Sequence, residues 1–473
     1  MRIRLSLRLA LLGLCLAPVI SAHPTGSATP QDVPRGLLPQ DPSEDPFYQP
    51  PGGFEAEPPG TVLRSRRIVA SFFGLLPNLI EAHQLLYRTT AIDGSAISTV
   101  TTVFKPHNAK PDRFISFHTA YDSSAVSCQP SYQYQLGSPQ TDLILSLEMI
   151  VIQIYLLLGY VVASPDYEGP DAAFGPGRLE GTGVLDGIRA VGHHHAALGL
   201  DSATPPVVGV GYSGGAIATG WAAGLQPAYA PELDIRGWVA GGTPANLTGT
   251  LVFIDGTAFS GFIPAAIVGL NQPSAYGARL QPVLDEIVTD AGRSILDTAS
   301  TQCAPAALVS FFGRSLFDPE IQTMGPEILH EPTVSDILKA NTMGANSSET
   351  PTAPVFLYHA TDDEIIPYSN ATTLRDAWCT DGADVHFTTF ASGGHATTEV
   401  IGLPRVLKFV EAAFEGKTAK GCAMDEELSD KLEPLALGVS LEPVLVKLLH
   451  ALMLAGTKDA KLRQDVKVWG ETF

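Results

Sequence analysis

Positive charge is what this chain has least of. Its 473 residues hold 29 Lys and Arg against 49 Asp and Glu, a formal net charge of −20. So acidic a surface repels phosphate backbones and anionic headgroups, which excludes nucleic acid and points to neutral or apolar partners. Long apolar runs are scarce too. Residues 9–16 are too few to cross a bilayer. Residues 143–158, apolar on most faces, carry Glu148 and Gln153 and stop at Gly159, so they read as a buried helix and no transmembrane span is expected. Cysteine is sparse, five residues, with spacings far too wide for a zinc knuckle; no metal and no cofactor are expected. There is no internal repeat and no coiled-coil pattern.

The beginning reads as an address. Arg2, Arg4 and Arg8 precede the short apolar stretch, and Ile20-Ser21-Ala22 puts small residues where a signal peptidase cuts. Residues 1–22 are thus expected to be a signal peptide and the protein to be secreted. Their removal leaves 451 residues and takes the charge from −20 to −23. Cys128, Cys303, Cys379 and Cys422 remain, an even number in an oxidising compartment, which predicts two disulfides with three possible connectivities. Asn246, Asn346 and Asn370 head glycosylation triplets.

Residues 23–44 form an extended lead-in within a Pro- and Gly-rich opening. Beyond it, short apolar β-type runs at 113–118, 160–163, 207–210, 237–240, 355–358 and 385–390 alternate with helical stretches, which predicts an α/β fold whose parallel sheet is covered on both faces. The interval 241–353 is far longer than a crossover helix needs. It predicts an inserted helical cap at 245–345, dividing the core into 45–244 and 346–422. Phe253, Ile254, Phe259, Phe262, Ile263, Ile267 and Val268 lie there among glycines. Two readings stay open: a lid that faces lipid, or the ordinary core of a second lobe.

Gly211-Tyr212-Ser213-Gly214-Gly215 fits G-x-S-x-G. With 45 glycines the pattern alone is weak, on the order of 0.3 chance matches along the chain. Its context is specific: an apolar strand precedes it and a small-residue helix follows, as a nucleophile elbow of the α/β-hydrolase fold requires. A serine hydroxyl needs a base to take its proton. His395, in the loop Ser392-Gly393-Gly394-His395 after a strand, is the best one. His118 and His359 end strands within reach of the site, His193 to His195 read as a solvated helix face, and His386 as structural. A carboxylate must hold the base's tautomer, and Asp362 or Asp363 follows the right strand; the order Ser, Asp, His is that of this fold. The oxyanion needs preset donors. One is expected from the N–H of Gly214, the other from the loop 119–124, which lacks the HGGG of many esterases.

These residues resemble the fungal secretory lipases of the yeast lipase A type. The similar segments are Asp45-Pro-Phe-Tyr48 with Pro50-Pro-Gly-Gly-Phe54; Pro59-Gly-Thr-Val-Leu-Arg-Ser-Arg66; Tyr121-Asp-Ser-Ser-Ala-Val-Ser-Cys128; Pro165-Asp-Tyr-Glu-Gly169; the elbow; Asp363-Glu-Ile-Ile-Pro-Tyr368; and Gly394-His-Ala-Thr-Thr-Glu399. The resemblance implies an α/β-hydrolase with a helical lid and a triad Ser213, Asp363 and His395. It selects Asp363 over Asp362, places the second oxyanion donor at Asp122, and suggests disulfides Cys128–Cys303 and Cys379–Cys422. It does not reach the tail 423–473, where Leu445, Leu448, Leu449 and Leu452 make a helical apolar stripe.

The leading expectation is a triacylglycerol lipase, a monomer acting on lipid or another apolar ester at a lipid–water interface. Close to it stands a carboxylesterase, deacetylase or acyltransferase on a soluble secondary-metabolite ester. A non-catalytic lipid-binding protein on a hydrolase scaffold is the competing class.

Overall fold

A computed structural model describes residues 38–139 and 141–428. The expected signal peptide, most of the lead-in and the leucine stripe of the tail lie outside the described residues. Ten strands form one sheet and two more a small hairpin. In chain order they are β1 (Val62–Ile68), the hairpin β2 (Ser71–Phe72) and β3 (Leu76–Pro77), β4 (Glu81–Thr90), β5 (Ala96–Lys105), β6 (Phe114–His118), β7 (Val161–Pro165), β8 (Val207–Tyr212), β9 (Ile235–Gly241), β10 (Val355–Ala360), β11 (Val385–Phe390) and β12 (Ala423–Glu427). Across the sheet the order is β1-β4-β5-β7-β6-β8-β9-β10-β11-β12.

From β7 to β12 all neighbours are parallel, and the apolar runs that predicted them are buried along β6, β7, β8 and β10. The sheet is mostly parallel, as expected; only at one edge are β1·β4, β4·β5 and β5·β7 antiparallel. These strands carry no continuous apolar run. Glu, His, Gln, Arg and Thr dilute it, and tertiary hydrogen bonds make the polar groups tolerable inside: Thr89 Oγ1 donates to Asp186 (2.7 Å), Thr99 Oγ1 to Asp166 O (2.7 Å), and Gln84 to Ser131 O. At the other edge β12 reads Ala-Met-Asp-Glu-Glu; Arg405 pairs with both Asp425 and Glu427, so this strand is recruited by charge.

The helix Leu143–Leu157 forms as the run predicted. The Asp142 carboxylate caps it on the N–H groups of Ile144 and Leu145, and it buries Ile152, Ile154 and Tyr155 against the sheet. Among the described residues no helix is long and apolar enough to cross a membrane. Between β9 and β10 the chain runs through helices Leu247–Ile254, Phe262–Leu270, Gly277–Ile287, Asp290–Ala299, Ala304–Ser310 and Pro332–Ala340. They close two small apolar clusters, one around Leu280, Leu284, Ile287 and Ile337, the other around Ile254, Ile263, Phe311 and Ile321.

The strand order reverses at β6, which sits between β7 and β8. Loops leaving neighbouring strands diverge there and open a crevice at their carboxyl ends. The loop 119–124 follows β6, and the serine turn follows β8.

Candidate active site

Ser213 joins β8 to the helix Gly214–Tyr229 at φ 52° and ψ −122°, a conformation a serine rarely adopts. Such strain costs about 1–3 kcal/mol and persists only where the surroundings over-determine it. They do so here. The Ser213 N–H donates to Gly241 O (3.0 Å) on β9. A Cβ on Gly211 would lie 2.3 Å from Gly215 O, and one on Gly215 would lie 1.9 Å from His118 O, so only glycine lets strand, turn and helix approach this closely. His118 is tied beneath the helix, Nδ1 2.6 Å from Thr219 Oγ1 and Nε2 3.0 Å from Ser116 Oγ. Burial pushes it down to about 3; it is a neutral strut, apart from the reacting groups.

His395 begins the helix His395–Phe414 and is held from three sides. Its Nδ1 lies 2.7 Å from Asp363 Oδ2, its N–H donates to Glu364 Oε2 (2.9 Å), and its carbonyl accepts from Tyr212 Oη (2.6 Å). Its Nε2 is buried and makes no hydrogen bond, which leaves that nitrogen open for a reacting proton. The ring lies beside the elbow: a Cβ on Gly242, next to the glycine that holds Ser213, would be 2.8 Å from His395 Cε1.

Asp363 is buried and Asp362 exposed, so the geometry separates the two carboxylates. Asp363 Oδ1 accepts from the N–H groups of Ile365 (2.9 Å) and Ile366 (2.8 Å). Its Oδ2 receives His395 and also His359, whose Nε2 is 3.2 Å away. Burial works to raise this carboxyl, but the His395 charge and the His359 and His395 hydrogen bonds outweigh it and hold it far below the carboxylate range. Burial likewise works to lower His395; the charge and hydrogen bond of Asp363, then Glu364 and Glu399, raise it above its ordinary value.

Glu364 and Tyr212 are contacts that sequence reasoning missed; His359, read from the sequence as ending a strand within reach of the site, meets Asp363. Each neighbours a residue already singled out, but only the fold shows what it touches. His193 to His195 and His386 lie away from the triad: His193 bonds Gly60 O, His195 bonds Gly192 O, and His386 faces Asp425.

Asp122 and Gly214 line one cavity with Ser213. Among the described residues neither N–H of Asp122 nor of Gly214 finds a backbone acceptor, and Gly214 is the first residue of its helix, where no intrahelical partner exists. The loop that carries Asp122 is stapled to the cap. Ser124 Oγ donates to Ala265 O (2.8 Å), Ala304 N donates to Ser123 Oγ (2.8 Å), and Cys128 is bonded to Cys303. A second disulfide joins Cys379 to Cys422 and pins the start of β12.

The cavity above Ser213 has a volume of about 90 Å³ and an almost wholly apolar wall, with Leu247, Leu251, Phe262, Ile263, Ile267 and Leu270 from the cap. Phe259 is not in it; it packs in the cluster of Ile254 and Phe311. Among the described residues no cluster of His, Cys, Asp and Glu could hold a metal ion.

Of the three glycosylation triplets, Asn370 is buried, and its amide donates to Asn246 O (3.1 Å) and Thr250 Oγ1 (3.0 Å). Asn246 caps its helix on Gly249 N and is half-buried; Asn346 is exposed.

Residues 134–421 match the model of the secretory lipase family. The chain is 39% identical to the secreted triacylglycerol lipase LIP1 of Malassezia furfur, over 85% of this chain and 82% of that one. It is 40% identical to the secreted triacylglycerol lipase LIP4 of Malassezia globosa, over 85% and 88%. Among solved structures it is similar to Candida antarctica lipase A in its closed state, with a TM-score of 0.79 and 32% identity over 87% of this chain and 96% of that one. A rice cell wall degrading esterase of Xanthomonas oryzae shares the fold, with a TM-score of 0.55 at 15% identity over 75% and 100%.

Proposed function

This chain belongs to the secretory lipase family, and on that premise we propose that it is a secreted serine ester hydrolase, a triacylglycerol lipase that works through an acyl-enzyme on Ser213. His395 takes the Ser213 Oγ proton on Nε2 as Oγ attacks the ester carbonyl. Asp363 keeps the imidazole in the tautomer with Nδ1 protonated and stabilises the imidazolium. The N–H groups of Gly214 and Asp122 receive the charge that develops on the carbonyl oxygen. Collapse expels the alcohol with the proton from His395. Water then repeats the sequence on the acyl-enzyme. The triad is complete within one chain, which supports a monomer as the working unit.

The observation that carries the lipase reading is the apolar wall above a serine held at a nucleophile elbow. An acyl chain gains about 0.8 kcal/mol per buried CH₂ there. In this shape the cavity is small, about 90 Å³ against the roughly 150 Å³ of a cavity that holds a benzene. Long-chain hydrolysis therefore requires the cap to shift. Val252, Phe253, Val309 and Phe312 are exposed on the cap, and their segments are joined by the bonds Gly256 N to Arg314 O (3.1 Å) and Gly313 N to Thr257 O (2.9 Å). An apolar patch beside the cavity supports opening at a lipid–water interface.

The test is hydrolysis of emulsified triglyceride and of p-nitrophenyl esters of rising chain length by wild type and Ser213→Ala. Wild type should act on triglyceride, and the variant should lose about 10³-fold or more. Activity on acetyl esters alone would replace the lipase reading with the soluble esterase.

A further inference from the structure

The side chain of Asp122 faces the same space as its backbone. It sits directly on Gly214: a Cβ there would lie 1.7 Å from Oδ1 and 3.2 Å from Oδ2, so the carboxyl rests against the residue whose N–H is the first oxyanion donor. Asp122 holds a positive φ of 45°, turned into the cavity it shares with Ser213. Oδ1 is buried and has no hydrogen-bond partner among the described residues. A buried carboxylate without donors is a state that folded proteins avoid.

Its electrostatic surroundings are lopsided. Asp142 and Glu148 at the helix Leu143–Leu157, Glu168 in the loop after β7, and Glu180 on the helix Gly177–His193 all feel Asp122, as does the Tyr167 phenol. Glu399 lies one layer further, against Glu148. The cap side brings only apolar residues and Thr250. Among the described residues, the cationic group that faces Asp122 is His395. Asp122 and the four buried carboxyls that feel it cannot all ionise. Burial, only partly opposed by His395, pushes Asp122 up to about 7.

We propose that the Asp122 carboxyl is kept as the neutral acid and donates its O–H to the carbonyl oxygen of the bound ester, a third donor beside the two backbone N–H groups. The inference rests on the acyl-enzyme reading above. When Ser213 Oγ bonds to the carbonyl carbon, the π electrons move to the carbonyl oxygen and the Oγ proton goes to His395. The Asp122 proton is shared with that oxygen and returns when the C–O bond to the alcohol breaks, so the carboxyl is regenerated. The same carboxyl, once ionised, would place a negative charge against the oxyanion. The reaction then has an alkaline limit of its own, set by Asp122 rather than by His395.

The experiment is the pH dependence of kcat and kcat/KM on p-nitrophenyl butyrate for wild type, Asp122→Asn and Asp122→Gly, with Ser213→Ala as reference. Asn tolerates positive φ and keeps an N–H donor at every pH; Gly tolerates it and has no donor. Wild type should fall on the alkaline side. Asp122→Asn should lose that alkaline limb while keeping the acid limb. Asp122→Gly should drop in kcat by about 10²-fold with little change in KM, as for loss of an oxyanion donor. An Asn variant that retains the wild-type alkaline limb, or a Gly variant as fast as wild type at low pH, overturns the proposal. Thermal unfolding checks both variants; should the glycine variant not fold, the asparagine profile still decides. Hydrolysis surviving in Ser213→Ala would instead overturn the acyl-enzyme reading, a different result from either Asp122 outcome.

Discussion

Around His395 the contacts are polar, short and numerous: a carboxylate at 2.7 Å, a second carboxylate on its N–H, and a phenol on its carbonyl. Across the cavity the helices Leu247–Ile254 and Phe262–Leu270 face the serine with almost no polar atom. The floor hangs from the central sheet, and its geometry is set by directional bonds. The roof rests on small apolar clusters and is fastened to the loop that carries Asp122 through Ser124 to Ala265, Ser123 to Ala304, and Cys128 to Cys303, with further bonds to the core such as Ser274 to Asp171 and Asn370 to Thr250. Directional bonds fix a reacting geometry, whereas apolar contacts can be exchanged for lipid at little loss. On the proposed function, the floor does the chemistry and the roof selects and admits the substrate.

The largest effect should come from the floor. His395→Ala and Asp363→Asn should each lower kcat by about 10³-fold or more, while Asp362→Asn stays within about twofold. Steady-state kinetics on one soluble ester measures all three. A greater loss in the Asp362 variant would mean that the buried carboxylate is not the one that acts.

A change in the roof should discriminate between substrates. Phe262→Ser, in the cavity wall, should cost about tenfold on a long-chain ester and only two- to threefold on p-nitrophenyl acetate. Phe259→Ser, in the neighbouring cluster, should lower Tm and reduce both rates by the same factor. Equal losses for Phe262→Ser would erase the distinction between roof and core.

The smallest effect is one of pH on the floor's stability. Burial raises Asp142 and Asp166 to about 7 and Glu180 to about 8. A carboxyl raised in the folded state gives stability that is fully present below the unfolded value, near 4, and lost as pH rises through 7 to 8. Asp363 is lowered and works the other way, its contribution lost in acid. The raised groups outnumber it, so Tm should fall by about 5 °C or more between pH 5 and pH 9. Differential scanning calorimetry decides; a Tm that rises over that interval would show these carboxyls ionised and paired.

Local pattern and tertiary placement can be separated residue by residue. The elbow at Ser213 was legible because its signal is short-range: an apolar strand, glycines where backbones touch, and a small-residue helix follow one another in the chain. The six strands read from apolar runs, and the helix Leu143–Leu157, were legible because burial on both faces demands continuous apolar residues. β4, β5 and β12 were not, since their polar side chains are made tolerable only by partners far away in sequence, such as Asp186, Asp166 and Arg405. The motif resemblance preferred Asp363, and the fold supplies the physical ground by burying it on the imidazole while Asp362 stays in water. Asn370 has the form of a glycan acceptor, and only packing reveals that its amide is engaged.

The sequence by itself determined the class of chemistry, because nucleophile turn, base and acid need particular residue types in a particular order along an α/β chain. The tertiary structure alone decided which groups meet, and therefore their charge. Glu364, Tyr212 and His359 surround Asp363 and His395 because the ends of β8 and β10 meet the start of the helix His395–Phe414. Asp122, which the family resemblance implies as the second oxyanion donor, becomes a buried and crowded carboxyl because helices and loops distant in sequence bring four others around it. Ionisation depends on solvent access and neighbouring charge, and neither exists until the chain has folded.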